Sequence, residues 1–369
     1  MKTRGKVLGI VWRVALCVLL LAWVFHQIFL GEGRSAFERQ GGDWETLSRT
    51  QQWRVAWARG PAELWRVITT VHAGAGAASL VFMGMTIGIG ALRWRMVMQV
   101  QGLDLSVGRA LEISLVAHFF NSFLLGSTGG DLMKAYYAAR ETHHLKTEAV
   151  VTVFIDRFIG LVSMLAFAAL MMLPNWALLA KHRRLTALAS LTLALLAGGL
   201  VLAVISFHGG VSRRWPEARD WMRRLPKGEV LERSLEACRR FGRDRRRLAE
   251  ATGLSMLLNL VCVLQIWALA VGLGLRIDPV PLCVIVPVII TVSALPVTPS
   301  GLGVRENLYV WMLAVPELDV AATHALSLSL LAYAGSLVWS LLGGAVYVTF
   351  KQRHHLAEVV EPNSSGAPS

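Results

Sequence analysis

Two long hydrophobic segments of this chain are each interrupted by a glycine-rich turn that leads into a charged helix start. The first break lies within FFNSFLLGSTGGDLMKAYY, residues 119–137, and the second within SALPVTPSGLGVRENLYVW, residues 293–311. A backbone that stops being helical at membrane depth leaves N–H and C=O groups unpaired, which is tolerated only where protein or a watery cavity surrounds it. In transporters, a matched pair of such breaks indicates the substrate pathway.

The composition indicates an integral membrane protein. Hydrophobic residues make up 54% of the 369 residues and charged residues only 17%, which is too apolar for an ordinary soluble chain. The net charge of +13 could indicate nucleic acid, an anionic lipid surface or the orienting charges of cytoplasmic loops. Thirteen of the 37 basic residues lie between Arg213 and Arg247, between hydrophobic runs, which favours a cytoplasmic face over a nucleic-acid partner.

The hydrophobic runs predict an all-α membrane protein, a polytopic helical bundle of about six full spans plus two re-entrant broken hairpins. The six runs long enough to span are Val7–Leu30, Val71–Leu92, Ala149–Leu173, Thr186–Phe207, Leu254–Leu275 and Ala322–Phe350. Ala110–Ala139 and Val280–Val315 each have an apolar arm, a Gly or Pro break, and a second arm too short to cross. We expect these two segments to be the hairpins.

The order of spans and hairpins suggests an inverted repeat. Each half reads as two spans, a broken hairpin and a third span, and an odd number of crossings per half inverts the second half. The alternative is that any polytopic chain can be cut into look-alike halves. Positive charge places both termini in the cytoplasm at the inner (plasma) membrane, with Arg93, Arg95 and Arg109 in inner loops. The outer trio Lys181, Arg183 and Arg184 is discordant with that topology.

The chain reads as one transmembrane domain, residues 1–350, followed by a disordered cytoplasmic tail, residues 351–369. Residues 31–70 form an outer loop insert with four tryptophans, which suggests either an interfacial cap or a small packed cluster. Residues 208–253 form a basic cytoplasmic loop, read either as an amphipathic helix on the anionic inner leaflet or as a solvated orienting loop.

Fourteen residues at the breaks and inside one span are predicted to bind the substrate. The glycines allow tight reversal and close backbone approach, the polar side chains can satisfy freed backbone groups, and the charged residues open the returning helices. They are Asn121, Ser127, Gly129, Gly130, Asp131, Lys134, Asp156, Arg157, Thr298, Pro299, Gly301, Gly303, Arg305 and Glu306.

Several of these residues also have a purely structural explanation. Asp131 could be a helix cap, and Lys134 could either meet a lipid phosphate or snorkel to the interface. Asp156 and Arg157 lie about 10 Å into an apolar run, where charges usually face a partner or a cavity. Because adjacent helix positions do not face each other, we expect separate partners for them, with Asp131 or Glu306 available to Arg157. A structural ion pair is the alternative.

Sequence motifs for catalysis, nucleotide binding and metal binding are absent. There is no GxxxxGK[ST], HExxH, GxSxG or CxxC pattern. His118 and His324 could relay protons, although an isolated histidine in a helix is more often simply hydrogen-bonded. We therefore expect no enzymatic activity, no catalytic residues, no cofactor and no metal.

Three motifs resemble the flippase-like transmembrane domain of lysylphosphatidylglycerol synthases, a family that includes membrane proteins of hopanoid and lipid-linked sugar pathways. They are NSFLLGSTGGDLMKA (121–135), VVTVFIDRFIGL (150–161) and LPVTPSGLGVRE (295–306). Where the family usually shows Gly-Glu followed by Arg, this chain has Gly130, Asp131 and Lys134, and it has Asp156-Arg157 in place of Glu-Arg. Lysine lacks the bidentate fork of arginine, so the departure bears on the substrate.

The resemblance implies a transporter that moves a lipid or lipid-linked intermediate between leaflets. Its partners would be membrane lipids with an anionic headgroup or a lipid-linked substrate, and a homo-oligomer or a lipid-synthesis enzyme is left open. Only a short tail follows Phe350, so we expect no soluble aminoacyl-transferring domain and no synthase activity. The alternatives are a catalytic or non-catalytic membrane subunit of a lipid- or glycan-modifying system, and a scaffold.

Overall fold

The computed structural model is almost entirely helical, as expected of an all-α polytopic membrane protein. It describes residues 26, 29–31, 33–123, 128–142, 145–208, 228–294, 301, 304–318, 320, 322–349 and 357–358. The helices are α1 (Arg49–Thr70), α2 (Ala73–Val100), α3 (Val107–Phe123), α4 (Thr128–Glu141), α5 (Lys146–Met172), α6 (Trp176–Lys181), α7 (Arg183–His208), α8 (Gly228–Arg243), α9 (Arg245–Gly272), α10 (Pro279–Ser293), α11 (Val304–Leu313) and α12 (Ala322–Thr349).

Five of the six predicted spans are confirmed as helices long and apolar enough to cross a membrane. These are α2, α5, α7, α9 and α12. The first predicted span, Val7–Leu30, lies almost wholly outside the described residues. The described helices of the two predicted hairpins are shorter: α3 has 17 residues, α4 has 14, α10 has 15 and α11 has 10.

Two helices extend well beyond the hydrophobic runs that predicted them. Helix α2 continues to Val100, so Arg93 lies inside the helix and is buried, not in an inner loop as expected. Helix α9 begins at Arg245, within the segment predicted to be a basic loop. The hydrophobic run marks only the part of a helix that matches the hydrocarbon core, and charged turns can continue the helix beyond it.

The two hairpins are antiparallel helix pairs whose bases lie at opposite ends of α5. Helix α4 leads into the start of α5 through residues 142–145. At the other end, the Asn175 side chain donates a hydrogen bond of 3.0 Å to the Val280 carbonyl at the start of α10. Since α5 has 27 residues, the two bases are about 40 Å apart. The re-entrant arrangement in a bilayer stays a prediction that this geometry favours.

The two halves of the molecule make equivalent contacts. In each half the first hairpin arm packs on the last span of the other half, α3 on α12 and α10 on α5. The equivalent helices α2 and α9 pack on each other and run antiparallel: the His72 N–H donates to the Gly272 carbonyl at one end, and Arg93 contacts Ser255 towards the other. Antiparallel packing of these two helices is compatible with an inverted repeat, which stays a prediction.

The insert between residues 31 and 70 is largely helical. Trp44 is buried and stacks edge-on against Phe37, but the other three tryptophans, Trp53, Trp57 and Trp65, lie on α1 with about half or more of their surface exposed. Trp57 packs edge-on against Phe29, and both Trp53 and Trp57 contact the His26 ring. The small packed cluster and the interfacial cap both stay predictions.

The predicted basic loop contains the packed helix α8. Its apolar face is turned towards the protein: Phe241 is fully buried against Phe207, and Ala237 is buried beside it. The described apolar side chains Ala237 and Phe241 therefore face the protein, whereas the position of α8 at the inner leaflet stays a prediction. In the predicted tail, Ala357–Glu358 pair with Leu103–Asp104 as a short antiparallel strand, which corrects the expected disorder at these two residues.

Candidate functional site

A buried ionic cluster joins three helices in the first half of the molecule. Asp156 on α5 accepts a hydrogen bond of 2.8 Å from Nε of Arg93 on α2 and contacts Nζ of Lys134 on α4 at 3.3 Å. All three residues are buried. Because an unpaired charge in such a place is very costly, the cluster fixes these helices relative to one another.

Neighbouring residues shape the cluster. Arg93 also donates to the hydroxyl of Ser255 on α9 at 2.9 Å, and Lys134 Nζ lies 4.4 Å above the Trp94 ring. The Trp94 ring is held in turn by a hydrogen bond from Nε1 to the Thr152 hydroxyl. A Cβ at Gly160 would lie 3.0 Å from the Arg93 guanidinium, so glycine provides the space that the arginine occupies.

A second ion pair lies beside the first cluster but is accessible. Arg157 Nε and Asp131 Oδ2 are 3.1 Å apart, and their side chains are 47% and 28% exposed. The expected separate partners of Asp156 and Arg157 are confirmed: Asp156 faces Arg93 and Lys134, whereas Arg157 faces Asp131. Adjacent positions on α5 thus point one charge into the protein and one to its surface.

The start of α4 is held tightly against α3. The side-chain oxygen of Asn121 accepts the Gly130 N–H at 2.8 Å, which satisfies one of the free donors of a helix N-terminus. A Cβ at Gly130 would overlap the Ala117 carbonyl oxygen, so only glycine allows this approach. Gly129 is buried beside it.

The base of the first hairpin is closed by an ion pair that the sequence did not indicate. Arg109 at the start of α3 donates through Nε and Nη2 to Oε1 of Glu141 at the end of α4, at 2.9 and 2.6 Å. Both residues are buried, and Nη1 of Arg109 also reaches the more exposed Glu112 at 2.8 Å. Arg109 therefore holds the two arms of the first hairpin together and is not an unpaired loop charge.

The second hairpin presents its own ion pair near its turn. Arg305 and Glu306 at the start of α11 contact each other, and Arg305 Nε donates to the Ser329 hydroxyl of α12 at 3.1 Å. Gly301 adopts a φ of +69°, and a Cβ there would lie 2.8 Å from Ser293. Within the described residues, the buried Ser293 hydroxyl has no hydrogen-bond partner.

Tyr333 connects the two hairpins. Its ring lies 4.5 Å from the Arg305 guanidinium of the second hairpin, and its hydroxyl donates to the Ser122 carbonyl near the tip of the first hairpin at 3.3 Å. On the same face of α12, Ser336 contacts the His118 ring at 3.3 Å. His118 is therefore a hydrogen-bonded histidine, which is the more common of the two alternatives considered from the sequence.

The structure brings the predicted residues together as two ionic groups, one per half. Asn121, Gly129, Gly130, Asp131, Lys134, Asp156 and Arg157 form the first group, and Gly301, Arg305 and Glu306 the second. Ser127, Thr298, Pro299 and Gly303 lie outside the described residues. Sequence reasoning did not identify Arg93, Trp94 and Tyr333 as parts of the site. The only indication for Arg93 was that it directly follows the predicted span Val71–Leu92.

Charged side chains of opposite sign pair with each other here instead of gathering into a metal-ligand set. Within the described part of the chain, no three His, Cys, Asp or Glu residues form a group that could hold a metal ion. In the first group, three cations, Arg93, Lys134 and Arg157, face two carboxylates, so the arrangement can attract an anion.

A comparison with protein families matches residues 52–344 to the model described as the lysylphosphatidylglycerol synthase TM region. A search of curated proteins found no match. The matched residues include both hairpins and both ionic groups, and the family indicates a membrane protein with a lipid-related function. Since the match covers most of the chain, this multi-pass protein belongs to the lysylphosphatidylglycerol synthase transmembrane-region family.

Proposed function

We propose that this protein moves an anionic lipid or a lipid-linked intermediate between the two leaflets of the membrane. The observation that carries the proposal is the accessible Arg157–Asp131 pair, which lies among exposed apolar side chains of α4 and α5. The proposal contains no chemical step, because the lipid is moved unchanged.

Two independent distances give the depth of the pair. Arg157 lies eleven residues after the start of α5, which is about 16 Å along the helix. Asp131 lies ten residues before the end of α4, which is about 15 Å from the base of the hairpin. Counted from Ala149, where the apolar run of α5 begins, Arg157 lies about 12 Å deep, against about 15 Å for half of a typical hydrocarbon core, which supports a position in the middle part of the bilayer.

The pair is open to the side of the molecule. Phe154 and Leu161 on α5, on the same helix face as Arg157, are 65% and 42% exposed, and Leu132 on α4 is 69% exposed. Large exposed apolar side chains on a spanning helix face lipid, so Arg157 and Asp131 would meet the bilayer directly. A headgroup could contact them while its acyl chains stay among the surrounding apolar residues.

The charge of the first group favours an anionic headgroup. Its three cations exceed its two carboxylates, and a charge buried in a bilayer needs compensation. The surplus positive charge lies in the buried cluster beside the Arg157–Asp131 pair, so a lipid phosphate bound at Arg157 would lie close to it. Arg305 and Glu306 form a second ion pair, which Tyr333 connects to the first hairpin.

The first hairpin would give the lipid headgroup access to one face of the membrane, and the second hairpin would give it access to the other. The Gln101 side chain donates to the Ala237 carbonyl, so the end of α2 and the base of the first hairpin lie beside the arginine-rich α8. The positive-inside rule then places that base, and both termini, in the cytoplasm at the inner membrane, with the second hairpin opening to the opposite face.

Reconstituted protein in vesicles tests the proposal. Fluorescent phosphatidylglycerol should cross between leaflets faster than in empty vesicles, measured as the fraction that external dithionite can bleach. Arg157→Gln should remove about 2 kcal/mol of charge-assisted phosphate binding, which is about a thirtyfold weaker Kd. Wild-type protein that leaves anionic and lipid-linked probes at the empty-vesicle rate would refute the proposal.

A matched arginine provides the control. Arg246 forms an exposed surface pair with Glu250 on α9, so Arg246→Gln removes the same charge without touching either ionic group. This variant should translocate lipid at the wild-type rate. If both arginine variants behave alike, whether active or inactive, the assignment to Arg157 is wrong.

A further inference from the structure

We propose that α1 lies flat in the leaflet next to the base of the second hairpin and binds anionic lipid headgroups. This inference does not depend on lipid translocation. The helix would be a membrane-binding surface, with tryptophans at headgroup level and arginines directed to phosphates.

The helix has three sides with different surroundings. Ala56 and Gly60 are buried against the preceding helical segment: a Cβ at Gly60 would approach Phe29, and Ala56 has no exposed surface. Trp53 and Trp57, four positions apart, follow on a second side and are 53% and 50% exposed. Such large exposed indoles would be costly in water but are favoured at the headgroup level of a membrane.

The charge of α1 selects an anionic surface. The helix contains four arginines, Arg49, Arg54, Arg59 and Arg66, but only one acidic residue, Glu63. A helix with tryptophans on one side and an excess of arginine lies in the plane of the interface and is attracted to anionic lipids.

The end of α1 is fixed at the membrane surface. Only Val71 and His72 separate α1 from the spanning helix α2. The His72 N–H donates to the Gly272 carbonyl at 3.0 Å, which attaches this link to the end of a second spanning helix, α9. The described side chains of residues 61–70 are all exposed, so the described part of the chain leaves this half of α1 uncovered.

A fluorescent probe on opposite sides of α1 tests the inference in the full-length protein in vesicles. Trp53 and Ala62 are nine positions apart, which places them on opposite sides of the helix, and Ala62 is exposed. An NBD probe is attached to Trp53→Cys or Ala62→Cys after the four native cysteines are replaced by serine. Nitroxide lipids and aqueous iodide then report which side meets the bilayer.

The probe at position 53 should emit at shorter wavelength and be quenched by nitroxide lipids, whereas the probe at 62 should be quenched by iodide. Changing phosphatidylglycerol vesicles to phosphatidylcholine should reduce lipid quenching at 53. Quenching of both probes by iodide alone, or protection of both from both quenchers, would overturn the membrane assignment. Equal quenching in the two vesicle types would overturn the anionic preference.

Discussion

Asp156→Asn should destabilise the protein much more than Lys134→Met, because the buried cluster contains two cations and one carboxylate. Asp156→Asn removes the only carboxylate between Arg93 and Lys134 and leaves two buried cations without an anion. Breaking a buried ion pair in this way costs about 3–5 kcal/mol. That is a large fraction of the total stability of a folded protein, which is about 5–15 kcal/mol.

Lys134→Met should have a much smaller effect. The Arg93–Asp156 pair stays intact, the cluster becomes neutral, and a flexible apolar chain replaces the lysine stem. The lost contact with the Trp94 ring is worth about 0.5–2 kcal/mol, and replacement of a buried charge by an apolar group is often neutral or stabilising. We expect a net change within about 1 kcal/mol.

Heating in detergent measures the difference. The fraction of monodisperse protein that survives a temperature series should be similar for wild type and Lys134→Met, and should fall at a clearly lower temperature for Asp156→Asn. If Lys134→Met is as unstable as Asp156→Asn, or Asp156→Asn is as stable as wild type, the assignment of a surplus buried charge is refuted.

Three further tests examine other parts of the structure by the same heating series. Gly343→Ala should destabilise because its Cβ would overlap a carbonyl of the facing helix, whereas Gly198→Ala meets nothing within 4 Å; equal effects would contradict the close approach. Arg109→Met should lower the free energy of unfolding by about 3–5 kcal/mol and Glu112→Gln by about 0–1 kcal/mol. The reverse order would contradict a stabilising role for the Arg109–Glu141 pair. A histidine hydrogen bond holds the pKa of Glu317 below its ordinary 4.5, so this contact stabilises above that pH and is lost below it; Glu317→Gln should therefore flatten the acid-side decline, and an unchanged decline would contradict this.

Local patterns were sufficient for the spans and for part of the site. A run of about 20 apolar residues has few alternatives to a membrane helix, because every backbone group must be satisfied internally in lipid. A charge inside such a run needs a partner, and the spacing of Asp156 and Arg157 required two separate ones. These arguments use only distances along one helix.

The partners themselves depend on the tertiary structure. Arg93 and Lys134 are 63 and 22 residues from Asp156, and Tyr333 reaches Ser122 across 211 residues. Periodicity and composition carry no information about which helices meet. For the same reason, the sequence of α8 could not show what its apolar residues contact. The pattern is that of a helix lying on a membrane, but Ala237 and Phe241 pack on the protein.

The sequence by itself determined a polytopic helical membrane protein with charged residues inside an apolar run, and it predicted two broken hairpins. Only the tertiary structure decided which charge is buried and which is accessible: Asp156 is enclosed by Arg93 and Lys134, whereas Arg157 opens to the side. The physical reason is that adjacent helix positions point about 100° apart, so packing on one side and lipid on the other give neighbouring charges different environments.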